Sequence, residues 1–174
     1  DSAPYPMHVR SSYASCTPCV DELAVYFAWA TPESLTLIAL AHDGQELWRK
    51  DLGRFISQHG FGGSPIVVDE TLVLVNSQDA EQLPPNTPAG ESRVTAFDRR
   101  SGQTLWETPR TTTRTCYGTP LPYTDANGKQ CLIFTNTGDG IFALDLKTGT
   151  PLWNRTVFDK RCVSSPIIAG DLVI

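Results

Sequence analysis

The chain has 174 residues, of which 40% are hydrophobic and 19% are charged, and its formal net charge is −5. This composition is typical of a globular domain, and the negative charge argues against nonspecific binding to nucleic acid. No run of 18 or more apolar residues occurs, so we expect no transmembrane helix, and no signal-peptide pattern is visible at the start.

Two phrases alternate along the chain. The first is a Ser-Pro or Thr-Pro pair followed by apolar residues, with its prolines at Pro18, Pro65, Pro120 and Pro166. The second reads ALAHDGQELW at 39–48, AFDRRSGQTLW at 96–106 and ALDLKTGTPLW at 143–153. The prolines are separated by 47, 55 and 46 residues. This period is typical of a repeat protein with about 45 residues per unit.

The longest interval contains one excess segment, Gln78–Ser92, which reads QDAEQLPPNTPAGES. Its proline and polar residues predict a loop insertion between the second and third strands of one unit. Three interpretations stay open for this segment: it caps the centre of the repeat array, it contacts a partner, or it is a tolerated surface loop.

Each unit contains short apolar segments that predict strands, because they are too short for helices and rich in Val, Leu, Ile and Phe. The second strands are predicted at Leu23–Phe27, Leu72–Val75, Leu132–Phe134 and Leu172–Ile174. A glycine then reverses the chain before the strand that carries the tryptophan, because glycine readily adopts the positive φ of tight hairpins. The predicted structural residues of the repeat are Gly44, Gly102, Gly149, Asp98, Asp145, Trp48, Trp106 and Trp153.

The pattern Ala-x-Asp-x-x-Thr-Gly-x-x-x-Trp at 143–153 resembles the repeat of the quinoprotein, or PQQ-like, β-propeller family, and Ser101 replaces the threonine at 96–106. The resemblance implies an all-β propeller of four-stranded antiparallel blades. We expect blade one at about 11–50, blade two at about 60–109, blade three at about 115–156 and the start of blade four at about 160–174. Such a set does not close a ring, so we expect a piece of a longer propeller.

The resemblance implies two classes of function. Some members are quinone-dependent alcohol or sugar dehydrogenases that hold PQQ with calcium and carry an adjacent pair of cysteines. Others bind no quinone and act as scaffolds in the bacterial envelope. This sequence has no adjacent cysteines and no matching set of Asp, Glu and Asn ligands. We therefore expect a binding or interaction scaffold and assign no catalytic or metal-binding residue. The resemblance implies that it is periplasmic, secreted or associated with the cell envelope. The alternative is part of a dehydrogenase whose PQQ and calcium site lies mostly in other blades.

Candidate binding residues lie in the loops before each Ser/Thr-Pro, which in family propellers line one face of the central channel. Six residues before the prolines stand Ser12, His59, Arg114 and Lys160, and Arg161 follows the last of these. Basic residues at equivalent positions favour a partner with negative charge: another envelope protein, an anionic small molecule or a glycan. The alternative interpretation is a solvated rim with ordinary ion pairs.

Five cysteines occur: Cys16, Cys19, Cys116, Cys131 and Cys162. The C-x-x-C at 16–19 falls in a predicted strand, where residues three apart point to opposite faces, so neither a redox pair nor a zinc site is favoured. Cys116 and Cys162 stand four residues before their prolines, at equivalent positions in successive units. We expect small buried side chains there, and the sequence leaves open whether the two form a bridge.

Overall fold

The structure is a computed structural model that describes residues 15–174. Ser12 and the predicted start of blade one lie outside the described residues. Blade 1 consists of β1 (Cys19–Val20), β2 (Val25–Ala30), β3 (Leu35–Leu40) and β4 (Glu46–Asp51). Blade 2 consists of β5 (Ile66–Val68), β6 (Thr71–Asn76), β7 (Ser92–Asp98) and β8 (Thr104–Arg110). Blade 3 consists of β9 (Leu121–Thr124), β10 (Gln130–Asn136), β11 (Gly140–Asp145) and β12 (Pro151–Arg155).

Each blade is a four-stranded antiparallel sheet in which neighbouring strands follow the order of the chain. A two-stranded sheet follows, made of β13 (Ile168–Ala169) and β14 (Leu172–Val173). The predicted all-β class, with three four-stranded sheets and part of a fourth, is confirmed. In the described part of the chain, no helix is long and apolar enough to cross a membrane.

The second strands form close to where the apolar pattern predicts them, with one shift in blade 1. The carboxylate of Asp21 accepts hydrogen bonds from the backbone N–H groups of Leu23 and Ala24, both at 2.8 Å. This side chain stabilises a turn, as Asp commonly does. The strand therefore begins at Val25 rather than at Leu23.

The hydrophobic core lies between the faces of successive blades. Because side chains alternate along a strand, β6 contributes to two clusters. Leu72 and Leu74 pack with blade 1 residues, whereas Val73 packs with blade 3 residues such as Leu132 and Phe134. Blade 2 thus contributes to a hydrophobic cluster on each of its faces.

The repeat tryptophans differ in exposure. Trp48 and Trp106 are buried between successive blades, with 9% and 8% of their surface exposed. Each indole ring lies against the turn glycine of the next blade, Gly102 or Gly149. Trp153, in β12, is 41% exposed.

The aspartates of the repeat phrase lie in the turns before these glycines. Asp98 accepts hydrogen bonds from the backbone N–H groups of Arg100 at 3.1 Å and Ser101 at 2.8 Å. Asp145 accepts the corresponding bonds from Lys147 and Thr148, both at 3.0 Å. Hydrogen bonds from the Ser101 side chain and backbone lower the pKa of Asp98. Both carboxylates therefore stabilise the local turn.

Ion pairs also join the blades. Arg99, only 5% exposed, donates to Asp21 at 2.6 Å and to Glu70 at 2.6 Å, so it links the first turns of blades 1 and 2. Arg110 in β8 pairs with Asp139 of blade 3 at 2.7 Å. The guanidinium of Arg110 also lies 4.2 Å from the centre of the Phe142 ring, a cation–π contact.

Candidate functional site

The candidate site is formed by three loops that precede the first strands of blades 2, 3 and 4, hereafter the leading loops: residues 52–65, 111–120 and 156–167. They contain the predicted binding residues His59, Arg114, Lys160 and Arg161. The fourth component is the insertion between β6 and β7, residues 77–91, which contains no strand.

Asp79, at the start of the insertion, connects all three leading loops. Its side chain is fully buried. One carboxylate oxygen, Oδ1, accepts from the backbone N–H of Thr115 at 2.6 Å and from Nη2 of Arg161 at 3.3 Å. The other, Oδ2, accepts from the backbone N–H of Gln58 at 2.7 Å. A buried carboxylate is stable only when it is paired and hydrogen-bonded, and these three donors meet that need.

The residues on either side of Asp79 make similar connections. Gln78, 2% exposed, accepts from the backbone N–H of Ile56 at 2.8 Å and donates to the carbonyl of Glu91 at 3.0 Å. The hydroxyl of Ser77 accepts from the backbone N–H of Cys116 at 2.9 Å. The base of the insertion is therefore a buried part of the site and not a tolerated surface loop.

Close packing holds the far end of the insertion against its beginning. The backbone N–H of Gly90 donates to the carbonyl of Asp79 at 2.9 Å. A Cβ at Gly90 would lie 2.5 Å from Cβ of Gln78, closer than any side chain tolerates. Only glycine fits there without moving Gln78.

Two of the four predicted binding residues interact with side chains of the insertion. Nη2 of Arg114 donates to Oε1 of Gln82, and Arg161 pairs with Asp79. Nε of Arg161 is buried and has no hydrogen-bond partner among the described residues. The structure thus brings Arg114 and Arg161 to the same insertion, 77–91.

The other two predicted residues are placed differently. Lys160 is exposed at the rim of the third leading loop. His59 is half-buried, and its backbone N–H donates to the hydroxyl of Ser57 at 3.2 Å. Their roles in binding remain predictions.

Tyr117 fills the space between the leading loops. A Cβ on Gly62 would lie 2.9 Å from its ring and 3.4 Å from Cβ of Ser15, so residues from successive blades meet here. Burial is the main cause that raises the pKa of the Tyr117 phenol. The phenol therefore stays neutral and contributes packing rather than charge.

The roles of Asp79 and Gln78 were not predicted from the sequence. Both lie in a segment whose prolines and polar residues indicate a surface loop. The insertion occurs in only one unit, so comparison between repeats offers no signal for them. They stand two and three residues after the end of β6 at Asn76.

The described residues do not fit the calcium site that PQQ would require. Calcium in proteins is held by roughly six to eight oxygen ligands, several of them carboxylates. Within residues 15–174, no group of three or more His, Cys, Asp or Glu side chains is arranged to hold a metal ion. No step of a quinone-dependent reaction is therefore assigned to these residues.

Comparisons with known proteins agree with the blade architecture. The family described as "Outer membrane protein assembly factor BamB" matches residues 90–174. The chain is similar to the crystal structure of BamB from Moraxella catarrhalis, with a TM-score of 0.62 and 20% identity over 99% of this chain and 46% of that chain. No curated protein sequence matches the chain significantly.

Two dehydrogenases share the fold. A europium-containing methanol dehydrogenase has a TM-score of 0.58 and 15% identity, over 79% of this chain and 31% of that chain. The quinohemoprotein alcohol dehydrogenase from Comamonas testosteroni has a TM-score of 0.54 and 17% identity, over 80% of this chain and 26% of that chain. The chain spans less than half the length of each of these three solved structures, and at such identities the likeness establishes the fold alone.

Proposed function

Because the chain belongs to the PQQ-like β-propeller repeat family, we propose that it acts as a binding or protein-interaction scaffold in the bacterial envelope. Support comes from the match of residues 90–174 to an outer membrane protein assembly factor and from the likeness of nearly the whole chain to BamB. The partner is another envelope protein, and the setting is the periplasm or the cell surface.

The leading loops are the proposed contact surface. The observation that carries this proposal is the buried carboxylate of Asp79, which holds Gln58, Thr115 and Arg161 of three successive leading loops in fixed positions. A surface that is already ordered loses little conformational entropy on binding, and this favours affinity.

The charge of this surface suggests the chemistry of the partner. Lys160, Arg161, Arg114 and His59 lie on the leading loops of a chain whose formal net charge is −5. A partner segment with exposed carboxylates would pair with Lys160, whose side chain is exposed. An anionic small molecule or a glycan would use the same charges.

The test is site-specific photo-crosslinking in the full-length protein. One variant carries p-benzoylphenylalanine in place of Lys160, and a matched control carries it in place of Asn127. Asn127 is also exposed but lies in the β9–β10 turn, at the opposite end of blade 3. We expect illumination of cells to give a discrete protein adduct from position 160 and none from position 127. Equal adducts from both positions, or none from position 160, would argue against the proposed surface.

A titration with PQQ and Ca²⁺ separates the scaffold from the dehydrogenase alternative. We expect no change in the quinone absorbance and no dye-linked oxidation of alcohols. Stoichiometric binding of PQQ with turnover would contradict the scaffold proposal.

A further inference from the structure

Cys116 and Cys162 lie side by side at the junction between blade 3 and the β13–β14 sheet. The backbone N–H of Tyr117 donates to the carbonyl of Cys162 at 3.1 Å, and this bond aligns the two leading loops. The backbone N–H of Cys162 in turn contacts Sγ of Cys116 at 3.4 Å. Both cysteines are buried, with 6% and 7% exposed.

Among the described residues, each thiol makes only weak contacts through its S–H group. Sγ of Cys116 contacts the carbonyl of Arg114 at 3.3 Å, and Sγ of Cys162 contacts the carbonyl of Lys160 at 3.8 Å. Thiols are weak hydrogen-bond donors, so a rotation about χ1 gives up little. Phe61 occupies the equivalent position in blade 2 and packs edge-on against Phe55, with ring centres 5.3 Å apart. The pair of thiols is thus a feature of the junction after blade 3.

We propose that Cys116 and Cys162 form a disulfide that joins the leading loop of blade 3 to that of the following sheet. The reaction needs a disulfide oxidant, such as oxidised glutathione or an oxidoreductase of the envelope. Two thiols lose two protons and two electrons, one S–S bond forms between the two cysteines, and the oxidant's own disulfide is reduced to two thiols.

This bond would attach a largely exposed part of the chain to blade 3. Leu172 in the β13–β14 sheet is 61% exposed, and Ile167, next to the sheet, is 57% exposed. Its leading loop is otherwise joined to blade 3 by hydrogen bonds such as that from the backbone N–H of Thr119 to the hydroxyl of Ser165, at 2.8 Å. A cross-link between residues 116 and 162 would also restrict the unfolded chain over that loop.

The bond is expected to be structural rather than rapidly reversible. Burial, together with the neighbouring Cys116, raises the pKa of the Cys162 thiol to about 12. The thiolate is the reactive form, so it is scarce in the folded protein at neutral pH. Oxidation of the folded protein should be slow at pH 7 and faster at pH 9, and fast during folding, when the thiols are exposed.

The test is peptide mapping of the protein purified without reductant or refolded with oxidised and reduced glutathione. The protein is unfolded in denaturant and its free thiols are alkylated there, before digestion with trypsin. Cleavage after Arg114 and Arg161 places Cys116 in the peptide 115–129 and Cys162 in a peptide that begins at residue 162. We expect these two peptides as one cross-linked species that dithiothreitol separates. Cys131 lies in the separate peptide 130–147 and is the internal control, expected to be alkylated.

Stability measurements give a second readout. We expect reduction to lower the urea midpoint of the unmodified protein and of Cys131→Ser, but to leave the double variant Cys116→Ser/Cys162→Ser unchanged. The proposal is overturned if both cysteines remain fully alkylated after refolding to the native circular dichroism spectrum. It is also overturned if Cys116 is cross-linked to a cysteine other than Cys162.

Discussion

The indole N–H of Trp106 donates a 2.9 Å hydrogen bond to the carbonyl oxygen of Leu146, one blade further along the chain. The same bond joins Trp48 to the carbonyl of Arg99 at 3.1 Å. The tryptophan therefore has two functions in the repeat. Its ring fills the space between blades, and its N–H satisfies a backbone carbonyl of the next turn.

Replacement of this donor tests the second function. In Trp106→Phe, most of the ring surface remains, but the carbonyl of Leu146 loses its buried partner. We expect a loss of about 1–3 kcal/mol in the free energy of unfolding, measured by urea titration followed by circular dichroism. The control is Leu105→Ala, at a neighbouring position on β8 that is 51% exposed, with an expected effect within about 0.5 kcal/mol. Equal effects of the two changes would show that the hydrogen bond contributes little.

The turn glycines should differ in their tolerance of alanine. Gly149 has φ of +69°, and a Cβ there would lie 2.4 Å from Cε3 of Trp106. Gly44 has φ of +90° but nothing within 4 Å of such a Cβ. Both variants carry a backbone cost of about 1–2 kcal/mol, and Gly149→Ala adds about 1–3 kcal/mol of overpacking. In thermal unfolding, the Tm of Gly149→Ala should therefore be clearly lower than the Tm of Gly44→Ala. The reverse order would contradict this packing.

The ion pair between Arg99 and Asp21 should make stability depend on acid pH. Burial by itself raises the pKa of Asp21, but hydrogen bonds from Arg99, Ala24, Leu23 and Tyr26 outweigh it and lower the pKa below its ordinary value. A folded-state pKa below the unfolded one stabilises the protein fully above about pH 4, and this contribution is lost as the pH falls through the folded-state pKa.

Asp21→Asn should therefore lower stability at pH 7 and flatten the dependence of the unfolding free energy on pH between about 2 and 5. The measurement is a series of urea titrations at fixed ionic strength. Asp171→Asn, in the exposed turn between β13 and β14, is the control for loss of a surface charge and should change the unfolding free energy at pH 7 by no more than about 0.5 kcal/mol. An unchanged slope for Asp21→Asn would mean that the carboxyl group is not coupled to folding.

Loss of the Asp79 carboxylate should loosen the leading loops. In Asp79→Asn, an NH2 group replaces one of the two carboxylate oxygens. This hydrogen-bond donor then faces another donor, the backbone N–H of Gln58 or Thr115. We expect a loss of about 2–3 kcal/mol in the free energy of unfolding, and faster hydrogen exchange at the amides of these two residues.

The matched control for this experiment is Asp125→Asn. Asp125 accepts from the backbone N–H groups of Asn127 and Lys129 in the β9–β10 turn, at the other end of blade 3. Its replacement should speed exchange in that turn and leave Gln58 and Thr115 unchanged. Faster exchange at the leading loops in both variants would indicate general destabilisation rather than a local role of Asp79.

Much of the fold could be predicted from the chain because its signals are local and repeated. Apolar segments, turn glycines and tryptophans recur with one period, and each copy supports the interpretation of the others. The shifted start of β2 shows the limit of this approach. Two hydrogen bonds to one carboxylate of Asp21 decide where that strand begins, and the apolar character of Leu23 gives no sign of them.

The candidate site was predicted only in part. The leading loops and their basic residues follow from the position of the Ser/Thr-Pro pairs. The partners of Arg114 and Arg161 do not, because Gln82 and Asp79 belong to an insertion with no counterpart in the other blades. The composition of a polar segment does not show whether its carboxylate is exposed to water or buried beneath neighbouring loops.

The sequence by itself determined the class of fold, the order of strands and the equivalence of positions such as Cys116 and Cys162, because these depend on local propensity and on the period. Only the tertiary structure decided that Asp79 joins three loops and that the two thiols meet. Contacts of this kind join residues about 20 to 80 positions apart and depend on how successive blades pack, and no local pattern carries that information.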